Sequence, residues 1–132
     1  MATANLTKDA FQETVEKNGI VLVDWWAAWC GPCRAFGPVF ERVSGKHPDA
    51  VFAKVDTEAE QELAAAFGIR SIPTLMIFRD RVLLYAEPGA LPEGALEELV
   101  SKVKALDMDD VRRRIAEREG ATKAEDGQPG TA

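Results

Sequence analysis

The only two cysteines of the 132 residues stand three apart, in Trp29-Cys30-Gly31-Pro32-Cys33. At the start of a helix, an i, i+3 pair puts both side chains on one face, roughly 5 to 6 Å apart between Cβ atoms, close to disulfide reach. A bridge across so short a loop removes little entropy from the unfolded chain, so it is a poor staple. It suits a two-electron device that closes and reopens without unfolding its surroundings, and thiol-disulfide exchange is the first expectation. Zinc needs four ligands, and to the two thiols the chain adds only His47, in the loop-like Lys46-His47-Pro48-Asp49, so no metal is expected. A pair of inert packed cysteines is also disfavoured, because Gly-Pro between them marks an exposed turn or a helix start.

A helix N-terminus presents unpaired backbone N–H groups and a partial positive charge, which favour thiolate over thiol. Cys30, at the mouth of the helix, is the expected nucleophile, and Cys33, one turn deeper and shielded, is expected to resolve the mixed disulfide. Pro32 fits the first turn, where the N–H it lacks would have no intrahelical partner, and it stiffens the loop that must cycle. Asp24 lies six residues before Cys30 in the most apolar run of the chain, so burial should raise its pKa. A carboxyl titrating near neutrality is a reasonable general base for Cys33, with or without an intervening water. The competing reading is an Asp at a strand end that reaches solvent. Lys54, in the next strand, either moderates that carboxyl's charge or is a surface lysine. Pro73, in Ile72-Pro73-Thr74, says little by itself.

These residues must be held by the elements around them. Thr7 is placed to cap a helix over about Lys8 to Lys17, with Phe11 and Val15 on one face, Leu6 as a staple and Gly19 past its end. Ile20 to Trp26 is a continuous β-branched and aromatic run, which reads as a central parallel strand covered on both faces. It leads into the cysteine box and then into a helix over about Arg34 to Ser44, where Phe36, Val39, Phe40 and Val43 recur at helical spacing around Pro38. Val51 to Asp56 reads as a strand and Ala59 to Phe67 as a helix closed by Gly68. Thr74 to Arg79 and Val82 to Glu87 form a hairpin around Asp80-Arg81. The last helix spans about Glu93 to Leu106, with Leu96, Leu99, Val100, Val103 and Leu106 on its buried stripe. Two parallel crossovers followed by an antiparallel pair give a mixed sheet with helices on both faces, an α/β class.

Hydrophobic residues at 46%, charged residues at 29% and a net charge of −6 describe an ordinary soluble globular protein and argue against nucleic acid. One domain is expected, large enough to bury roughly two thirds of the surface its unfolded chain would expose. The first nineteen residues lack the apolar core of a signal peptide, and the longest apolar stretch, Ile20 to Trp29, is interrupted by Asp24 and too short to span a bilayer. With Met1 present, a reducing compartment, the cytoplasm, is the expected location, without membrane attachment.

Val23-Asp24-Trp25-Trp26-Ala27 leading into the cysteine box, then Pro38, Ala53-Lys54-Val55-Asp56, Phe67-Gly68-Ile69-Arg70-Ser71-Ile72-Pro73-Thr74 and Gly89-Ala90-Leu91, resemble the thioredoxin family over roughly residues 5–105. The resemblance implies a sheet of four or five strands flanked by four helices, and a cis bond before Pro73 beside the cysteines. It also implies a substrate groove in which the Ile72 backbone pairs with an extended segment while Trp29, Pro32, Ile72 and Gly89 form an apolar rim. On this reading residues 1–106 are the thioredoxin domain, Trp29, Gly31 and Pro32 shape the active-site loop, and Trp26 and Trp29 are partly functional while Trp25 is core. The implied activity is a protein-disulfide reductase without bound cofactor, monomeric, acting on disulfide-containing proteins and recharged by a thioredoxin reductase. Two rivals remain: an oxidant or isomerase of the same fold, separated by reduction potential, and a non-catalytic module whose apolar rim grips a partner.

The sequence departs from the family in three places. Asp80-Arg81 stands where a glycine is common and leaves the turn type open, since Arg81 tolerates positive φ poorly. Pro88 replaces an apolar residue before Gly89. Residues 107–132 form an extension, in which Asp107 is placed to cap a short helix around Val111 and Ile115. Arg112-Arg113-Arg114 reads there as a solvated face, and residues 119–132 as disordered.

Overall fold

The structure is a computed structural model and describes residues 3–126. In chain order the elements are β1 (Thr3–Asn5), α1 (Lys8–Lys17), β2 (Ile20–Trp26), α2 (Gly31–Gly45), β3 (Val51–Asp56), α3 (Gln61–Ala66), β4 (Thr74–Arg79), β5 (Val82–Pro88), α4 (Glu93–Ala105) and α5 (Met108–Asp126). The strands form one mixed sheet in the order β1-β3-β2-β4-β5, with β1, β3 and β2 parallel and β4 and β5 antiparallel to their neighbours.

The period of two along each strand divides the core into two layers. Val21, Val23 and Trp25 of β2 pack with Phe11, Val15 and Leu63 of α1 and α3. Leu22 faces the other way, onto Phe36, Phe40 and Val43 of α2 and Leu96, Val100 and Val103 of α4. Helices on both faces explain why β2 reads as an uninterrupted apolar run, and why Asp24 within it has no route to solvent.

Several expectations need correction. β1 was not foreseen, because Thr3-Ala4-Asn5 carries no apolar pattern, and it exists through pairing with Phe52, Ala53 and Lys54 at the sheet edge. The connection from β3 through α3 is not a parallel crossover, since β4 returns antiparallel beside β2; the crossovers are β1-α1-β2 and β2-α2-β3. Thr7 occupies the N-cap of α1, but its hydroxyl makes no capping bond, and the Lys8 amide donates instead to the Glu60 carboxylate at 2.7 Å. Leu106 is 40% exposed, because the backbone turns extended there and lifts it off the buried stripe.

Asp107 does cap the next helix, its Oδ1 accepting from the amides of Asp109 and Asp110 at 3.0 and 3.2 Å. That helix, α5, runs on to Asp126, so residues 119–126 are helical where disorder was expected, and residues 127–132 lie outside the described residues. Ion pairs at i, i+3 and i, i+4 support its first turns: Arg112 with Asp109, and Arg113 and Arg114 with Asp110. Among the described residues no helix is long and apolar enough to cross a membrane.

The β4–β5 hairpin turns through Asp80 and Arg81 with φ of 50° and 70°, a type I′ geometry that glycine fits best at its second position. Arg81→Gly is therefore expected to raise stability by about 1 kcal/mol, measured by urea unfolding. One residue before the turn, Arg79 Nη1 donates to the carbonyls of Val103, Lys104 and Leu106 at 2.7, 3.2 and 2.6 Å, closing the C-terminus of α4 with a positive charge. Arg79→Met leaves those carbonyls without it and should cost about 2 kcal/mol in the same assay.

Candidate active site

β2 runs out at Trp26, a short loop follows, and α2 begins at Gly31 with Cys30 as its N-cap. The capping acceptor is a sulfur: the Cys33 amide donates to Cys30 Sγ at 3.2 Å. An N-cap oxygen satisfies one of the orphan amides of the first turn, and here the same position places Cys30 Sγ in the positive end of the helix. Pro32 sits in the first turn, where it displaces no hydrogen bond. Cys30 and Cys33 are joined in a disulfide with their Cα atoms 5.2 Å apart.

The sequence suggested that Cys33 would lie deeper than Cys30. In the closed form both residues are 4% exposed. Their covers, Gly31 and Pro32, are exposed, and Trp29 is 66% exposed. Trp26, Ala27 and Ile72 pack against the sulfurs.

The Ile72–Pro73 bond is cis, and the Ile72 carbonyl oxygen lies 3.6 Å from Cys30 Sγ. The Gly89 amide donates to the Pro73 carbonyl at 2.8 Å. Gly89 does so at φ +110°, a conformation that side-chain-bearing residues rarely adopt, so a glycine is required for this closure of the loop. Pro88 pairs with Thr74 in the β4–β5 register, which seats Gly89 beside Pro73. Trp29 and Ile72 line one cleft of about 330 Å³ together with Thr57, Ile69 and Arg70.

Asp24 and Lys54 are register partners on β2 and β3 and so share a face. Asp24 is fully buried, and neither carboxylate oxygen has a hydrogen-bond partner among the described residues. Burial pushes its pKa up to about 7, and the Lys54 ammonium opposes that rise from 3.9 Å. Lys54 Nζ also stands 5.1 Å over the Trp26 ring. The solvent-reaching alternative for Asp24 is thereby removed.

Two residues escaped the sequence reading. Arg34 Nη1 donates to the Ala28 carbonyl at 2.8 Å, tying α2 back to the loop before Trp29. Thr57 donates to the Trp26 carbonyl through its amide at 2.9 Å and its hydroxyl at 3.0 Å. Both bonds depend on how loops fold over the strand ends, and no spacing in the sequence signals them.

A sulfur pair that caps a helix, with a buried carboxyl on the strand feeding it, is built to take up and release two electrons as one bond opens and closes. The fold and site define a protein-disulfide oxidoreductase. The family model described as thioredoxin matches residues 2–103. A relative from Streptomyces coelicolor described as putative thioredoxin 2 is 56% identical over 118 residues, covering 89% of this chain and 88% of the relative. Thioredoxin of Bacillus subtilis is 40% identical over 104 residues, 77% of this chain and 98% of that one. Among solved structures, a mutant thioredoxin from Halobacterium salinarum superposes with a TM-score of 0.74 at 33% identity, covering 80% of this chain and 93% of that one. The chain belongs to the thioredoxin family, and it is a disulfide reductase working by dithiol-disulfide exchange.

Proposed function

We propose that Cys30 is the attacking thiolate and Cys33 the resolving thiol of a cytoplasmic, monomeric carrier that takes its electrons from a thioredoxin reductase. The observation that carries the roles is the Cys33 amide pointing at Cys30 Sγ, since a donor and a helix N-terminus there stabilise negative charge on one sulfur and not on its mate. In the reduced protein Cys30 attacks a substrate disulfide, forming a mixed disulfide and releasing one substrate thiolate. Cys33 then gives its proton to the Asp24 carboxylate and attacks Cys30 Sγ. The Cys30–Cys33 bond forms and the second substrate thiolate leaves, so two electrons pass to the substrate.

Lys54 tunes Asp24 so that it titrates near neutrality rather than higher. Trp29, Gly31 and Pro32 form the loop that presents Cys30. Ile72 and Pro73 offer backbone to an extended substrate segment, with Gly89 holding that loop in place. The reading assigns no role in this exchange to the extension after residue 106.

Turnover of a disulfide protein with a thioredoxin reductase supplying electrons tests the reading. Sustained release of substrate thiols is expected, and their absence would refute it. Equilibration with glutathione separates the same-fold rival, because about 30 mV corresponds to roughly 1.4 kcal/mol for a two-electron couple. A strongly oxidising potential would assign the protein as an oxidant or isomerase.

A further inference from the structure

Away from the cysteines, α1, α3 and the β4–β5 hairpin enclose a cleft of about 470 Å³, and none of its lining residues belongs to the active site. The volume lies within the range of small-molecule sites, about 300 to 1,000 Å³. Its apolar lining is Phe11, Val15, Leu63, Phe67 and Phe78, and the three phenylalanines form a cluster with ring centroids 4.9 and 6.1 Å from Phe11.

Three charged side chains reach this cleft, and two are engaged. Lys8 is ion-paired with Glu62, while the Glu16 carboxylate accepts from the neutral Gln12 amide at 2.9 Å and keeps its negative charge at the edge of the lining. The Arg81 guanidinium has no hydrogen bond or ion pair among the described residues. It is presented from a turn position with φ of 70°, where a side chain strains the backbone and glycine would relieve it. A strained residue that carries the one unneutralised cation into an aromatic cleft is a reason to look for a ligand there.

We propose that the cleft binds an amphipathic monocarboxylate, its apolar body against Phe11, Phe67 and Phe78 and its carboxylate paired with the Arg81 guanidinium. The apolar walls provide most of the contact area, and the guanidinium selects the anionic head through charge-assisted hydrogen bonds.

The test is an amide NMR titration of the full chain with decanoate, with decanol as the uncharged control. Saturable shifts confined to α1, α3 and the hairpin are expected with decanoate. Arg81→Gly should weaken that binding about tenfold and Arg81→Lys less, while decanol binds both proteins alike and more weakly. Arg81→Gly suits the turn and touches nothing at the cysteines, so its fold and its disulfide-reductase turnover should be unchanged. Decanoate affinity unaltered by Arg81→Gly, decanol binding as tightly as decanoate, shifts scattered over the surface or no shifts at all would each overturn the proposal.

Discussion

In a reductase-coupled turnover assay, Cys30→Ser should fall to the rate of uncatalysed exchange, and Cys33→Ser should stop after one event with substrate covalently attached. The asymmetry follows from the cap. Only Cys30 Sγ accepts the first-turn amide and sits at the positive end of α2, so removing it removes the nucleophile. Without Cys33 the attack still proceeds, but nothing within reach can displace the substrate, and the mixed disulfide accumulates. Mass spectrometry of the trapped adduct reads the outcome. Equal residual turnover in the two variants would contradict the roles, and a double serine variant with full biological function would favour a non-catalytic binding module.

The second large effect is at Asp24. Its folded pKa is raised from the ordinary 3.8 to about 7, first by burial, so the folded state holds the proton more tightly than the unfolded chain does. The stability associated with that proton is fully present below about pH 4 and is lost as pH rises to about 7, where a buried carboxylate with no hydrogen-bond donor must ionise. Asp24→Asn keeps the shape and removes the ionisation. The oxidised variant should therefore match the wild type near pH 4 and exceed it at pH 8 by on the order of 4 kcal/mol, read from urea unfolding at both pH values. A gain independent of pH would show that the carboxylate's charge is not the cause. In turnover the same variant should be slower, with the deficit at the step that needs Cys33 deprotonated.

Much of this was legible because the relevant signals are local. The Cys-Gly-Pro-Cys spacing, the apolar run around Asp24 and the glycine after α3 each carry their meaning within a few residues, and Gly68 indeed stands at φ +65°. What sequence reading lost depends on distant partners. β1 is a strand only because β3 offers an edge, and β4 runs antiparallel because it pairs with β2 rather than β3. Arg34 and Thr57 hold the loop before the cysteines through carbonyls whose positions only the folded chain defines. α5 starts from ion pairs at Arg112 and Arg114 and runs on past residue 119, where composition alone had marked disorder.

The cis bond before Pro73 has no local signal in the sequence. Base rates place only about 5 to 6% of X-Pro bonds in the cis form, so Ile72-Pro73 on its own argued nothing. The expectation came from the family resemblance. The structure adds its surroundings, the Ile72 carbonyl beside Cys30 Sγ and the Gly89 amide on the Pro73 carbonyl.

The most direct measurement is the pH dependence of iodoacetamide alkylation in the reduced protein, with the modified residue identified by peptide mapping. The account predicts modification at Cys30 alone, with an apparent pKa well below the ordinary thiol value of about 8.5. Alkylation of Cys33 at a comparable rate, or a Cys30 titration at or above the ordinary value, would contradict it.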